Sequence, residues 1–203
     1  MDVSLYIWAQ GRPFLREVAL KRQIREIETL YFNYPMNPCL ISSLDRDGRP
    51  NIMPAAWNSP FSHTPPLYGV AISPKRYSHE SVSQLGEFVV NFVSFDYVKD
   101  MDFCGRVSGR DVLKFEKSRF TPVQGQVVKP PLIAESYASL ECRTIDQRVY
   151  GDHTWFIGRI AAVTYESEAF EEVGIPNTRG LRPILYLGKN TYLTVDPTAL
   201  TKF

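Results

Sequence analysis

The sequence predicts a mainly β fold with short helices, arranged as an antiparallel barrel, and three observations lead there. Fifteen prolines and 13% aromatic residues favour short, punctuated strands. Extended apolar runs recur in pairs joined by tight turns, about seven or eight strands in all, and closing such pairs into a barrel removes exposed edges. Only the N-terminal segment has the length of a crossover helix, so a doubly wound sheet would lack its connections. At 203 residues, 44% hydrophobic and 22% charged, the chain has the size and make-up of one globular domain with a terminal extension.

Residues 14–31 place Leu20, Ile24, Ile27 and Tyr31 at spacings of four, three and four among charged residues, the pattern of an amphipathic helix. The alternation over 24–28 leaves a strand open there. The expected division is a helical extension over 1–35, covering one mouth of the core or contacting another subunit, and a barrel domain over 36–203. Pro38–Leu44 reads as a buried strand, Asp45–Gly48 as a turn with Asp47-Gly48 suited to positive φ, and 50–57 as the return strand. A proline-rich loop over 59–66 leads to a strand over 66–73. Pro74–Gly86 holds a short helix with Val82 and Leu85 on its apolar face, ended by Gly86, and 87–93 is the next strand. A second short helix spans Phe95–Cys104, followed by a loop over 105–115 and an irregular, proline-broken stretch over 124–133. The longest β run, 136–150, turns at 151–153 and returns over 154–167. A loop over 171–183 leads to a last strand pair, 184–188 and 191–195, joined by Lys189-Asn190.

A formal charge of +1 supplies no long-range field for nucleic acid or an anionic membrane, so any basic site must be local. Cys39, Cys104 and Cys142 are scattered, and His63, His79 and His153 lack ligand spacing, so neither a disulfide framework nor a metal site is expected. The first residues lack the pattern of a signal peptide, and no apolar run approaches the roughly 20 residues a bilayer requires. The expected location is the cytoplasm.

Chemistry concentrates in a few stretches. Lys75, Arg76 and Ser78 precede a predicted helix whose first-turn N–H groups attract an anion, with Ser78 as a candidate N-cap; an ordinary capped helix start gives the same pattern. Ala55 and Ala56 are small enough for a flat ring to approach the backbone, with Trp57 and Asn58 at its border; a strand end with a core tryptophan reads the same way. His153 follows Asp152 and is suited either to proton transfer or to capping the turn. Cys104, Ser108, Arg110 and Lys114 fall where they would line a mouth. GxGxxG, HExxH and a Ser-His-Asp order are absent.

Taken in order, DGRPNIMPAAW, PPLYGVAISPKRYSHESV, GEFVVNFV, CGRVSGRDVLKF, LECR and GDHTWFIGRI resemble the flavin reductase-like family, which includes flavoredoxins and archaeal ferric or flavin reductases. The resemblance runs from Pro38 to Val163 and is carried by the GxxNxxPAxW and CGxxSGxDxxKF blocks. It implies an FMN-binding split barrel that holds FMN tightly and forms a homodimer with its flavins near the interface. By position, Ala55, Ala56, Trp57 and Asn58 would border the isoalloxazine and ribityl groups, and Arg76, Tyr77 and Ser78 would hold the phosphate. Asn91 and the Ser108-to-Lys114 loop would close the pocket, and His153 would stand near flavin and nicotinamide. The implied activity passes electrons from NAD(P)H through FMN to free flavin, a ferric complex or a protein acceptor. A flavoredoxin-type carrier without NAD(P)H activity, or a non-enzymatic ligand-binding barrel, uses the same pocket.

Overall fold

Seven antiparallel strands build the frame that positions the site. The structure is a computed structural model describing residues 23–172, 174–177, 179–196 and 198. The chain divides into a unit over 1–30 and a unit over 31–203. The second unit begins with β1 (Cys39–Leu44), β2 (Pro50–Ala55), β3 (Asn58–Ser62), β4 (Leu67–Ile72), α1 (Tyr77–Leu85) and β5 (Glu87–Val93). It continues through α2 (Val98–Arg106), α3 (Lys114–Lys117), β6 (Pro122–Val123), β7 (Leu132–Ile133), β8 (Ser136–Tyr150) and β9 (His153–Tyr165). Two small hairpins follow, β10 (Phe170–Glu172) with β11 (Ile175–Pro176), and β12 (Leu185–Gly188) with β13 (Thr191–Leu193). The main sheet runs β2-β1-β5-β8-β9-β4-β3. Its end strands β2 and β3 are consecutive in the chain yet share no ladder, so the barrel is split along that seam rather than closed.

The period of two in a strand explains where the core lies. Cys39 and Ile41 of β1 face the barrel interior with Val70, Ile72, Phe88, Val90, Cys142 and Phe156. The intervening Leu40 packs on the other side with Ile52, Val93, Met101, Cys104, Phe120 and Ile133. Strand β1 is therefore buried on both faces, which is why it reads as a nearly continuous apolar run. Each fully buried apolar side chain contributes about 1.5–3 kcal/mol. Gly86 caps α1 at φ 69°, a conformation that favours glycine, and donates its N–H to the Val82 carbonyl at 2.9 Å.

Several local expectations change. Residues 58–62, inside the expected proline-rich loop, form edge strand β3, where Pro60 is tolerated because one side of the strand needs no donor and the ladder bulges between Pro60 and Ser62. The expected loops over 105–115 and 171–183 end in α3 and contain the β10–β11 hairpin. The helix expected over 14–31 lies outside the described residues up to 22. Over 23–30 the chain has neither helix nor strand, and Ile24 and Ile27 are 51% and 60% exposed. Its stripe gains no burial there, and short helices without packing are marginal in water. Among the described residues no helix is long and apolar enough to cross a membrane.

Candidate functional site

A cleft of about 780 Å³ opens at the unpaired seam, where β2 runs into β3. Its walls are residues 53–57, the start of α1, the C-terminal half of α2 with the following loop, Lys114, the β8–β9 turn, and the β12–β13 hairpin. Of the residues singled out in the sequence, Ala55, Ala56, Trp57, Arg76, Tyr77, Ser78, Ser108, Lys114 and His153 line it.

One end is cationic and rich in donors. Helix α1 starts at Tyr77 with Arg76 at the N-cap position and no side-chain cap, so Ser78 lies inside the first turn instead of capping it. The amides of Tyr77 and Ser78 have no backbone acceptor among the described residues. The positive end of the helix dipole adds to this field. Neither Arg76 nor Lys75 has an ion-pair partner among the described residues, whereas Asp102, on the opposite wall, is held by Arg106 at 2.6 Å and by the Tyr192 hydroxyl at 3.2 Å. Lys114 is 3% exposed; its Nζ donates to the carbonyls of Ile52 at 2.8 Å and Cys104 at 2.7 Å, which leaves its third hydrogen for the cleft. Burial, reinforced by the like charge of Arg76, lowers its pKa to about 8. The Tyr77 hydroxyl turns away, donating to Asp45 at 3.0 Å, while the Arg110 guanidinium covers its ring at 5.0 Å. Burial raises the Cys104 thiol to about 11, so it is an inert wall residue.

The other end is flat and edged by peptide donors. The amides of Ala56 and Trp57 sit between β2 and β3 without an acceptor among the described residues. The Trp57 indole lies 4.5 Å from the His153 ring, tilted 47°, and its Nε1 donates to the Tyr34 hydroxyl at 3.1 Å. His153 is the first residue of β9 rather than part of the turn, and its Nδ1 is 2.7 Å from a carboxylate oxygen of Asp152. That hydrogen bond holds the Asp152 carboxyl below the usual carboxylate range.

Two expected site residues do other work. Asn58 is absent from the cleft lining; its amide donates to the carbonyls of Ala55 at 2.9 Å, Ala56 at 3.3 Å and Asn37 at 3.0 Å, while its oxygen accepts from Tyr68. It bridges the seam that the ladder leaves open. Asn91 is fully buried: its amide donates to the Leu40 carbonyl and Ser42, and its oxygen accepts from the Ile133 N–H at 3.1 Å and Ser139 at 2.8 Å. That network uses up its hydrogen-bonding capacity and fixes three segments together, and Asn91 is absent from the cleft lining. Conversely, Tyr31, Tyr186 and Tyr192 line the cleft and were not singled out. Tyr186 and Tyr192 are directly paired across β12–β13, and that tyrosine-bearing hairpin was the signal available. Among the described residues no group of three or more His, Cys, Asp or Glu could hold a metal ion.

Comparisons with known proteins bear on this geometry. An uncharacterized protein of Archaeoglobus fulgidus is 40% identical over 146 residues, 72% of this chain and 81% of that protein. The FMN-binding protein from Thermus thermophilus, solved with bound 1-cyclohex-2-enone, superposes with a TM-score of 0.79 at 30% identity, covering 91% of this chain and 99% of the other. The flavoredoxin of Desulfovibrio vulgaris (Miyazaki F) gives 0.76 at 29% identity, covering 86% and 94%. The profile of the flavin reductase like domain matches residues 31–193, from the tyrosine at the cleft mouth to the last strand, and the chain belongs to that family.

Proposed function

We propose that the cleft holds FMN and that the chain is a flavin-dependent oxidoreductase of the NAD(P)H flavin or ferric reductase type. One observation carries the reading: a single cleft joins an end with unpaired cations and uncapped helix amides to an end with unpaired peptide donors beside the Trp57 and His153 rings. The donor set fits the group. Arg76, Lys114, the Ser78 hydroxyl and the α1 amides would hold the phosphate, and the amides of Ala56 and Trp57 would face the polar edge of the ring. The likeness to an FMN-binding protein and a flavoredoxin at 30% and 29% identity supports the same cofactor.

When bound, FMN supplies the hydride and electron chemistry, and the protein supplies position and electrostatics. The peptide donors at positions 56 and 57 would stabilise negative charge on a group bound against them. His153, tied through Nδ1 to Asp152 and packed on Trp57, is oriented to hold or deliver a proton through its other ring nitrogen. The acceptor in this proposal is free flavin, a ferric complex or a redox protein. The likeness to a flavoredoxin favours a second reading, an electron carrier reduced by a partner enzyme.

The test is the visible spectrum of purified protein before and after anaerobic NADH or NADPH. Bleaching by the nicotinamide and recovery with free flavin or ferric chelate is the expected result. Bleaching only by dithionite or a reduced redox protein selects the carrier, and a colourless protein that refuses added FMN leaves a non-flavin ligand-binding barrel. A cytoplasmic homodimer completes the proposal. Strand β8 runs past its pairing with β5 at Arg143, leaving Ile145, Val149 and Tyr150 exposed on an open edge suited to a second copy. Light scattering checks the dimer.

A further inference from the structure

We propose that Asn51 is a positioning residue that sets the hydrogen-bond polarity of the anion end, so that the cleft accepts a group carrying acceptors only, such as a phosphoryl dianion. This rests on the phosphate assignment made above and names the residue that enforces it.

Asn51, on β2, is 4% exposed, and its Nδ2 donates to the Ser78 hydroxyl at 2.8 Å; Ser78 is 1% exposed. An amide nitrogen only donates, so the Ser78 oxygen acts there as acceptor and its own hydrogen must point elsewhere. Ser78 has no other hydrogen-bond partner among the described residues, and it lines the cleft, so the hydrogen faces the cleft. Ser78 then joins Arg76, Lys114 and the first-turn amides as a donor at that end.

The amide is locked beneath a loop. The Asn51 Oδ1 is buried without a partner. Gly109 lies so close over it that an added Cβ would stand 2.3 Å from Oδ1 and 2.7 Å from Tyr77 Cδ1. Turning the amide over would let Oδ1 accept from Ser78 but leave Nδ2 unpartnered in the same space. Either orientation therefore strands one atom of Asn51. What distinguishes them is Ser78, which presents a donor to the cleft in one and lone pairs in the other. An anion in the cleft thus favours the observed orientation, and an aspartate at this position would reverse it while adding a like charge.

The experiment measures the affinities of the full-length protein for FMN and for riboflavin, which lacks the phosphate, by flavin fluorescence. The readout is the preference ratio, which a loss of general stability does not move. Asn51→Asp is expected to cut the preference for FMN at least about tenfold, since hydrogen bonds to charged groups are among the strong ones. Asn51→Leu removes the donor without adding charge; it should weaken FMN about three- to tenfold alone and add nothing on a Ser78→Ala background, because both act through one hydroxyl. Should Asn51→Asp fail to fold by circular dichroism, the Leu and Ala cycle decides alone. A preserved preference in the Asn51 variants, or independent additive losses in the cycle, overturns the assignment of Asn51 while leaving the cofactor intact. Wild-type protein that binds both flavins equally overturns the phosphate assignment itself, and this proposal with it.

Discussion

Replacing Lys114 by methionine separates two opposite pH dependences that arise from one buried charge. The ammonium is 3% exposed, donates to two carbonyls and has no carboxylate partner among the described residues. Burial brings its pKa from 10.5 down to about 8, a fall worth about 3 kcal/mol against the charged form in the cofactor-free protein. The unfolded chain keeps this proton up to about pH 10.5, the folded chain only to about pH 8, so the unfolded state binds more protons in between. This group's contribution to the stability of the free protein therefore rises with pH across that window. Affinity for an anion moves the other way, because the anion needs the ammonium that is being lost. Methionine removes both trends. It also strips donors from two buried carbonyls, about 1–3 kcal/mol each, which offsets the relieved burial cost and keeps the net change near neutral pH within about 2 kcal/mol. The assay is urea unfolding of flavin-free wild type and variant at about pH 7.5 and about pH 10, with FMN affinity measured alongside. Raising the pH should shift the stability difference toward wild type by about 2 kcal/mol, and should lower wild-type FMN affinity about tenfold or more. The variant should start about tenfold weaker and stay flat. Buried thiols such as Cys142, raised by burial to about 12, titrate alike in both proteins and cancel in the difference. A constant stability difference together with parallel affinity curves refutes the reasoning.

Two further predictions follow from neighbouring charges. Arg76→Ala should weaken FMN about tenfold or more by loss of a charge-assisted contact, with riboflavin affinity and thermal midpoint nearly unchanged; equal losses for both flavins would remove Arg76 from the phosphate end. Glu141 is fully buried and accepts the N–H groups of Gln126 at 3.0 Å, Val127 at 2.7 Å and Val128 at 2.9 Å. Burial works to raise its pKa, but the three donors outweigh it and hold the carboxyl low, so its stabilisation is complete above the ordinary carboxylate range and is lost as pH falls through the folded value. Glu141→Gln should cost about 3 kcal/mol in urea unfolding and flatten the acid limb of the stability profile; a variant as stable as wild type would show that this loop holds without the charge.

The strands were legible where local pattern decides structure. The buried runs of β1, β4 and β5, the alternation in β8 and the turn at Gly48, φ 77°, follow from residue types a few positions apart. The Lys189-Asn190 turn likewise takes positive φ at both residues, 47° and 57°. Strand β3 was hidden because Pro60 reads as a breaker, and only knowledge of its edge position makes proline acceptable. Asn91 was placed at the pocket by the family resemblance alone, and its partners at 40, 42, 133 and 139 are remote in sequence, so no local pattern shows them. Ser78 was expected at the N-cap, but the helix begins at Tyr77 with Arg76 in that place, two residues earlier than a Ser78 cap requires, which moves the Ser78 hydroxyl from a cap to a wall of the cleft. Lys114 looked like a loop cation, and only the converging carbonyls of Ile52 and Cys104 reveal it as a fixed, buried one.

The missing ladder between β2 and β3 has a consequence for how such a protein can change. Main-chain donors that a sealed cylinder would tie up stay available at Ala56 and Trp57, and any amino acid except proline supplies that N–H. Substitution at 55 and 56 is then limited by bulk more than by chemistry, so a flat guest can be retained while side chains drift. The rim differs: at the hairpin bearing Tyr186 and Tyr192 the cleft is lined by side chains, so its character changes with each substitution there.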